Sequence, residues 1–446
     1  MTSSLPVPSP TSPAHTAALE DRLATPARAE GLARPPRGWN SFDGYGLHFH
    51  EDAAFATIDA QAEHLAPSGF DHFVIDGGWF NEYDHLPGTR LPRRAAALDV
   101  HLDANGRYLP SRSNFPGGLQ RIARHAADRG LVPGIHIMRG IPRRAVERDL
   151  PVLGTRVTAR QVADQTSVCR WSQLNYGIDM RAPGAQAYYD GWIELLAEWG
   201  FRFIKADDIT AHPAEIEAVA AAIDRVGGDI SLSLSPGGDT DERHRRAYGR
   251  SDLLRVTRDV WDNAADINTA FEAWEVWVDR QIDGCWVDLD MLPFGELLVP
   301  FGQEEAGVVA ELHGRGAHRS TALTPGQQRT VLTMRALAAS PLFLGADVLS
   351  SGPEVIELVT NPVVLACHDT GVMGRLLARD GAIDLWVEPG DQPRWLGVFN
   401  RGDEPTTVSL PHHWSDAHLG EAWGHPRADG AVTVPARDVA LLARIS

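Results

Sequence analysis

Carboxylates recur at the ends of short apolar runs in this chain. The runs are GWNSFD (38–43), FDHFVID (70–76), LVPGIHI (131–137), FRFIKAD (201–207), DISLSLS (229–235), LLRVTRD (253–259), GCWVDLD (284–290) and PLFLGAD (341–347). Six of the eight carry aspartate at or near the end: Asp43, Asp76, Asp207, Asp259, the pair Asp288/Asp290, and Asp347. Like charges crowded together raise one another's pKa, so a ring of carboxylates needs a use. Two uses fit: hydrogen-bonding a polyol while supplying an acid and a nucleophile, or ligating a hard cation such as Mg²⁺ or Ca²⁺. A single such Asp is equally well read as a helix N-cap following a strand.

Strand alternation sharpens the candidates. Lys205 and Asp207 are two apart and share a side, whereas Asp208 points away. The Lys205 charge beside Asp207 favours its ionised form, which suits a nucleophile. Arg255 and Asp259, four apart, share a face, as do Asp288 and Asp290. The bland alternative for each pair is a buried structural ion pair.

These side chains need a frame. Apolar runs of this length suit strands buried on both faces of a parallel sheet. Between them lie well-punctuated helices: PGGLQRIARHAADRG stops at Gly130, GAQAYYDGWIELLAEWG at Gly200, and PAEIEAVAAAIDRVGG starts on Pro213, while Thr324-Pro325 opens GQQRTVLTMRALAAS. Eight runs alternating with helices read as an α/β fold, a (β/α)₈ TIM barrel over 37–351, whose site lies at the C-terminal strand ends. An open doubly wound sheet is the runner-up, without a GxGxxG or GxxxxGK[ST] to support it. After about residue 352 apolar residues alternate between Gly, Asp and Pro turns, which predicts a small antiparallel β-sandwich over 352–446. Residues 1–36, rich in Pro, Ser, Thr and Ala, are expected to be extended or disordered, with one short helix near 17–23. They carry no basic stretch followed by an apolar one, so the expectation is no secretory signal and a cytoplasmic location.

Composition bounds the partners. The 41 Lys+Arg against 59 Asp+Glu give a net charge of −18, which argues against nucleic acid and anionic membranes. No apolar run is long enough to cross a bilayer. Cys169, Cys285 and Cys367 form neither a disulfide framework nor a zinc spacing, and the expectation is no cofactor and no resident metal. Trp79, Trp171 and Trp286 flank the motifs and either stack on sugars or, more in keeping with their type, fill the core. Residues 80–115 form a long loop of the kind that walls a site.

Taken in order, GWNSFDGYG, VIDGGW, GIHI, FIKADD, RVTRD, WVDLDMLPFG and ASPLFLGADV resemble the α-galactosidase (melibiase) family, glycoside hydrolase family 27 of clan D, where the stretches look like GWNSW, IDDCW, GIY, KYD, RxxxD, WNDPDML and PLxxGND. The resemblance runs from about 36 to 370, and the trailing β domain fits it. It implies a retaining exo-acting α-glycosidase acting on a glycoside or oligosaccharide. By that likeness Asp207 is the nucleophile and Asp259 the general acid/base, about 5–5.5 Å apart as retaining chemistry requires. Lys205 matches the lysine beside the nucleophile, Arg255 an arginine near the sugar 2-hydroxyl, Asp76 the first Asp binding O6 or O4, Asp290 the second Asp near the acid/base, and Phe42 an aromatic platform. Homo-oligomerisation is left open.

The departures bear on substrate. Gly77 replaces the Asp that grips an axial 4-hydroxyl in the family, His136 replaces a tyrosine, and Leu234 and Ser235 stand where larger groups are usual. Arg139 is unusual and is expected at the mouth, gripping an anionic or hydroxyl-rich group, or else paired with a rim carboxylate. A site missing a buried polar partner loses discrimination. Simple α-galactosides are therefore expected to be mediocre substrates, with β-L-arabinopyranosides and α-glucosides also open. Two other classes compete: a non-catalytic sugar-binding barrel, which would be expected to lack Asp207 or Asp259, and a metal-dependent isomerase or aldolase, which would need His or Glu at the inward strand ends.

Overall fold

The structure, a computed structural model, describes residues 2–3, 32–86, 97, 99–236, 240–300, 317–415 and 418–445. The helix expected near 17–23 and part of the 80–115 loop lie outside the described residues.

All eight apolar runs form parallel strands: β1 (Arg37–Asn40), β2 (His72–Ile75), β3 (Val132–Met138), β4 (Phe203–Asp207), β5 (Ser231–Leu234), β6 (Leu253–Arg255), β7 (Trp286–Asp288) and β8 (Leu342–Leu344). The sheet order is β7-β6-β5-β4-β3-β2-β1-β8. Closure comes just past the end of β7, where Leu292 bridges Leu344: its N–H donates to Phe343 O (2.8 Å) and its carbonyl accepts from Gly345 N (3.0 Å). The sheet is thus a barrel, buried on the inside by its own side chains and outside by helices.

Those helices include α1 (Glu51–His64), α2 (Leu119–Asp128), α3 (Ala185–Glu198), α4 (Pro213–Arg225), α5 (Ala264–Trp277) and α6 (Pro325–Leu337). Local signals set their ends. Gly130 and Gly200 have φ of 77° and 98°, conformations that side chains with a Cβ rarely adopt. Thr324 and Gln327 form a capping box at the start of α6.

Beyond the barrel the expectation of strands from 352 needs correction. Two short helices come first, α7 (Pro353–Val359) and α8 (Pro362–His368). Both begin on a proline at N1, where the missing N–H costs nothing. They belong with the barrel: His368 Nε2 is 2.8 Å from Ser340 O, and its Nδ1 accepts from Arg37 Nε of β1 (3.0 Å).

Antiparallel strands follow: β9 (Arg375–Asp380), β10 (Ile383–Val387), β11 (Trp395–Asn400), β12 (Thr406–Ser409), β13 (Leu419–Glu421), β14 (Arg427–Ala428), β15 (Ala431–Val434) and β16 (Asp438–Arg444). One sheet has the order β9-β10-β11-β16-β13; the other is β12-β15-β14, with Thr2–Ser3 beside β12. Leu385, Leu396, Val398, Ala440 and Leu442 meet Val408, Val432 and Val434 in a core between the two sheets. The alternate residues Trp386, Trp395, Phe399, Val439 and Leu441 face the barrel and join its core. The central strands of the first sheet, β10, β11 and β16, are therefore buried on both faces.

Candidate active site

Strand alternation delivers Lys205 and Asp207 to the barrel interior. Lys205 is level with His136 of β3, and Asp207 with Met138. The Lys205 ammonium, however, lies on Asp76 Oδ2 (2.7 Å), at the end of β2, two strands away. Asp76 also accepts from Asn40 Nδ2 (2.7 Å) and from the Gly77 N–H (2.7 Å). Burial alone would raise its carboxyl; Lys205 and His136 outweigh this and hold it far below the usual range.

Asp207 has a different first neighbour. His136 Nε2 is 3.5 Å from its Oδ2. Burial opposes ionisation of Asp207, but His136, then Arg255 and Lys205, more than compensate, so its pKa is lowered. The sequence-based attribution of this effect to Lys205 is thus revised: His136 acts first and Lys205 last of these three. Lys205 stays charged although buried, because Asp76 offsets the desolvation.

Arg255 organises the other wall. Its guanidinium donates to Asp259 Oδ1 (2.8 Å) and Asp290 Oδ1 (3.2 Å). Burial would favour the neutral form, yet Asp290, Asp259 and Asp207 keep it charged. The charge of one cation thus acts on both Asp207 and Asp259. The two carboxylates differ in access: the Asp207 side chain is 18% exposed and that of Asp259 40%. Asp290 has φ of 75°, and its Oδ2 accepts from Val260 N (2.7 Å), just past Asp259. Its N–H donates to Asp288 Oδ1 (2.7 Å), and burial together with the Asp290 charge pushes Asp288 up to about 6.

The remaining expected residues fall into place unevenly. Phe42 is half-buried, 6.4 Å edge-on from Trp261, three residues before which stands the solvent-facing Arg258. Ser235 enters through its backbone: its N–H donates to Ala206 O (2.8 Å) and its carbonyl accepts from Ile209 N (3.2 Å), bracing the end of β4. Gly77 leaves space. A Cβ there would lie 3.3 Å from Leu47 Cδ2 and 3.7 Å from His136 Nδ1, a buried nitrogen with no partner among the described residues.

Arg139 is not at the mouth. It is 2% exposed and paired with Asp208 (2.8 Å) and Glu215 (2.7 Å), so its guanidinium is already occupied. Asp208 turns away from Asp207 toward this arginine, as expected, although it stands just past the end of β4 with φ of 58°, where the strand's alternation has ended. Among the tryptophans, Trp79 is core, donating to His136 O (2.8 Å) and stacked on Trp192, and Trp286 is buried with its N–H on Leu32 O (3.2 Å). Trp171 is 52% exposed. Asp347 is structural, accepting from Tyr45 Oη (2.7 Å) and from Ser350 N (3.1 Å).

Two contributors, Trp261 and Arg335, escaped the sequence reading. Trp261 extends the aromatic wall beside Phe42. Asp43, one of the expected strand-end carboxylates, is 2% exposed, and burial followed by the Asp290 charge drives its carboxyl well above the usual range, so it is a neutral acid in the rim. Its Oδ2 has no partner among the described residues. Arg335 of α6, fully buried, donates to Asp290 O (2.9 Å) and Leu289 O (2.7 Å), holding the turn on which Asp290 sits.

No family model matches the chain. Curated relatives and solved structures do. An α-galactosidase of Oryza sativa is 23% identical over 419 residues, covering 92% of this chain and 79% of the relative. One from Cyamopsis tetragonoloba is 22% identical over 442 residues, covering 94% and 86%. Among solved structures, a β-L-arabinopyranosidase of glycoside hydrolase family 27 from Geobacillus stearothermophilus superposes with a TM-score of 0.82 at 31% identity, covering 93% of this chain and 97% of that one. With an ordered set of strand-end carboxylates, a closed barrel and a neighbour of this identity over nearly its whole length, the chain is a glycosidase and belongs to glycoside hydrolase family 27, the α-galactosidase family.

Proposed function

We propose that this enzyme is an exo-acting glycosidase that cleaves by double displacement with retention. Asp207 attacks the anomeric carbon as the bond to the leaving oxygen breaks and Asp259 gives that oxygen a proton. Asp259 then takes a proton from water, whose oxygen attacks the same carbon and releases Asp207. The observation that carries this reading is the contrast between the two carboxylates on which the Arg255 charge acts: Asp207, enclosed and held ionised, is suited to attack, and Asp259, more open, to meeting a leaving group that departs toward solvent. Asp76 and Lys205 offer an acceptor and a donor to ring hydroxyls, and Phe42 with Trp261 an apolar wall for a sugar face.

The curated relatives favour α-D-galactopyranosides. A second reading, β-L-arabinopyranosides, is favoured by the 31% identical neighbour; the two sugars share a ring and differ by the hydroxymethyl group. A panel of aryl glycosides, with the product anomer followed by NMR, tests both. Asp207→Ala and Asp259→Ala are each expected to abolish turnover of the preferred glycoside while leaving the melting curve intact. Wild-type activity in either variant, or an inverted first product, would sink the assignment.

A further inference from the structure

We propose that Arg139 is a positioning residue for Asp207, acting from behind the strand that carries it. This rests on the reading of Asp207 as the nucleophile. The Arg139 N–H donates to the Asp207 carbonyl (3.0 Å). Its side chain then folds back so that Nε donates to the Asp208 carbonyl (2.8 Å) and to Asp208 Oδ2 (3.1 Å), with a second nitrogen on the same oxygen (2.8 Å). One residue thereby grips two consecutive carbonyls, that of the nucleophile and that of its successor.

The grip is itself anchored. The remaining guanidinium nitrogen donates to Glu215 Oε1 (2.7 Å) and Ser167 Oγ (3.1 Å). Glu215, in the first turn of α4, accepts on its other oxygen from Tyr189 Oη of α3 (2.6 Å) and from Ile178 N (3.3 Å). The Cys169 thiol bonds Asp208, and the His212 ring also lies within the field of Arg139. Gly177 makes the arrangement possible, since a Cβ there would stand 2.4 Å from the guanidinium.

The grip also holds an unfavourable backbone. Asp208 has φ of 58°, which a residue with a Cβ adopts at a cost and keeps only where its surroundings over-determine it. Without Arg139 nothing else described holds both its carbonyl and its carboxylate, and relaxation of that turn would move Asp207. During the reaction the Asp207 carboxylate becomes a neutral ester and then an anion again, so a carboxylate held by its backbone keeps its attack geometry through both states. A displacement of about 1 Å at a reacting atom costs on the order of 10²-fold in rate.

Azide separates positioning from folding. In Asp207→Gly, azide enters the vacated space and forms the bond from nitrogen to the anomeric carbon as the bond to an aryl oxygen breaks. The phenolate departs, and the product is a glycosyl azide of inverted configuration. A small diffusing anion does not depend on where β4 ends. Arg139→Lys and Glu215→Gln are each assayed in the Asp207 enzyme and in azide-rescued Asp207→Gly, on the same activated aryl glycoside. With Asp207 present, kcat is expected to fall by about 10–100-fold with KM little changed, whereas the azide-rescued rate falls by no more than about threefold. Equal losses in both backgrounds would overturn the proposal, because Arg139 would then support the pocket as a whole. If Arg139→Lys fails to fold, Asp208→Asn, which weakens the contacts to its carboxylate and keeps those to the two carbonyls, is expected to give the same asymmetry to a smaller degree, and symmetric losses there overturn it as well. If azide rescues nothing in Asp207→Gly alone, the nucleophile assignment falls and this proposal with it.

Discussion

Gly77→Asp should change which sugar the enzyme prefers at one ring position. The backbone there is not left-handed, so a Cβ is tolerated; it would touch His136 at ordinary contact distance and need the Leu47 methyl to yield by a few tenths of an ångström. The new carboxylate would sit over the His136 ring, next to a nitrogen that has no partner among the described residues. It would also sit beside the ionised Asp76. For two charges about 5 Å apart at an effective dielectric near 20, that repulsion is about 3 kcal/mol, offset by Lys205 and His136. What is gained is an acceptor for an axial hydroxyl. A hydrogen bond to a charged group contributes about 1.5–3 kcal/mol, or about 10–150-fold in rate when it is expressed in the transition state. An α-galactoside and a β-L-arabinopyranoside both present that axial hydroxyl, and an α-glucoside does not. Steady-state kinetics on the three p-nitrophenyl glycosides should show the galactoside-to-glucoside ratio of kcat/KM rising by that factor, with the galactoside-to-arabinopyranoside ratio unchanged. A folded variant in which the first ratio stays the same or falls would refute the reasoning, because the space over Gly77 would then not face the 4-position.

Two further outcomes are expected. Arg335→Met should lower the melting temperature and reduce kcat together, since two carbonyls of the turn holding Asp290 lose their donor at about 1–3 kcal/mol each; activity intact in a destabilised protein would show that the turn holds itself. His368 is pulled down to about 3 by burial and by the Arg37 charge. The unfolded chain therefore binds a proton below pH 6.5 that the folded chain refuses, and stability is lost as pH falls from 6.5 toward 3, by about 2 kcal/mol at pH 5 from this group. NMR of labelled histidine should find the ring neutral at pH 5, and a midpoint near 6.5 would contradict the assignment.

Much of this architecture was legible because it depends on local rules. Short apolar runs marked every barrel strand, six of the eight with Asp at or near the end, and a period of two placed Lys205 and Asp207 on one side. Partner choice was not legible. Which carboxylate meets Lys205 depends on how β2 and β4 lean toward each other across the barrel, and spacing within one strand says nothing of that. Arg139 lies one residue past the end of β3, just before Gly140 with φ of 86°, where the chain leaves the strand and alternation stops predicting direction. Arg335 sits in a well-capped helix, where an arginine reads as a surface residue. The helices α7 and α8 carried their own signal in Gly352-Pro353 and Asn361-Pro362, but at seven residues each they are too short to display a helical period.

The sheet whose central strands are buried on both faces has a consequence for how this protein can change over time. Trp274 of α5 stacks on Trp386 of β10 with ring centroids 3.6 Å apart, and the outer side of α6 meets β11 and β16, where Arg329 is bonded to Asp438 (3.0 Å). The β-sandwich is therefore a wall of the barrel and not an appendage that could be exchanged as a cassette. A truncated chain ending at α8 would present Trp274, Phe271 and Leu337 to water as a sticky patch. The same helix that carries Arg329 on its outer side carries Arg335 toward Asp290 on its inner side. Substitutions in the sandwich sheet that faces the barrel therefore reach, through α6, the turn on which Asp290 sits.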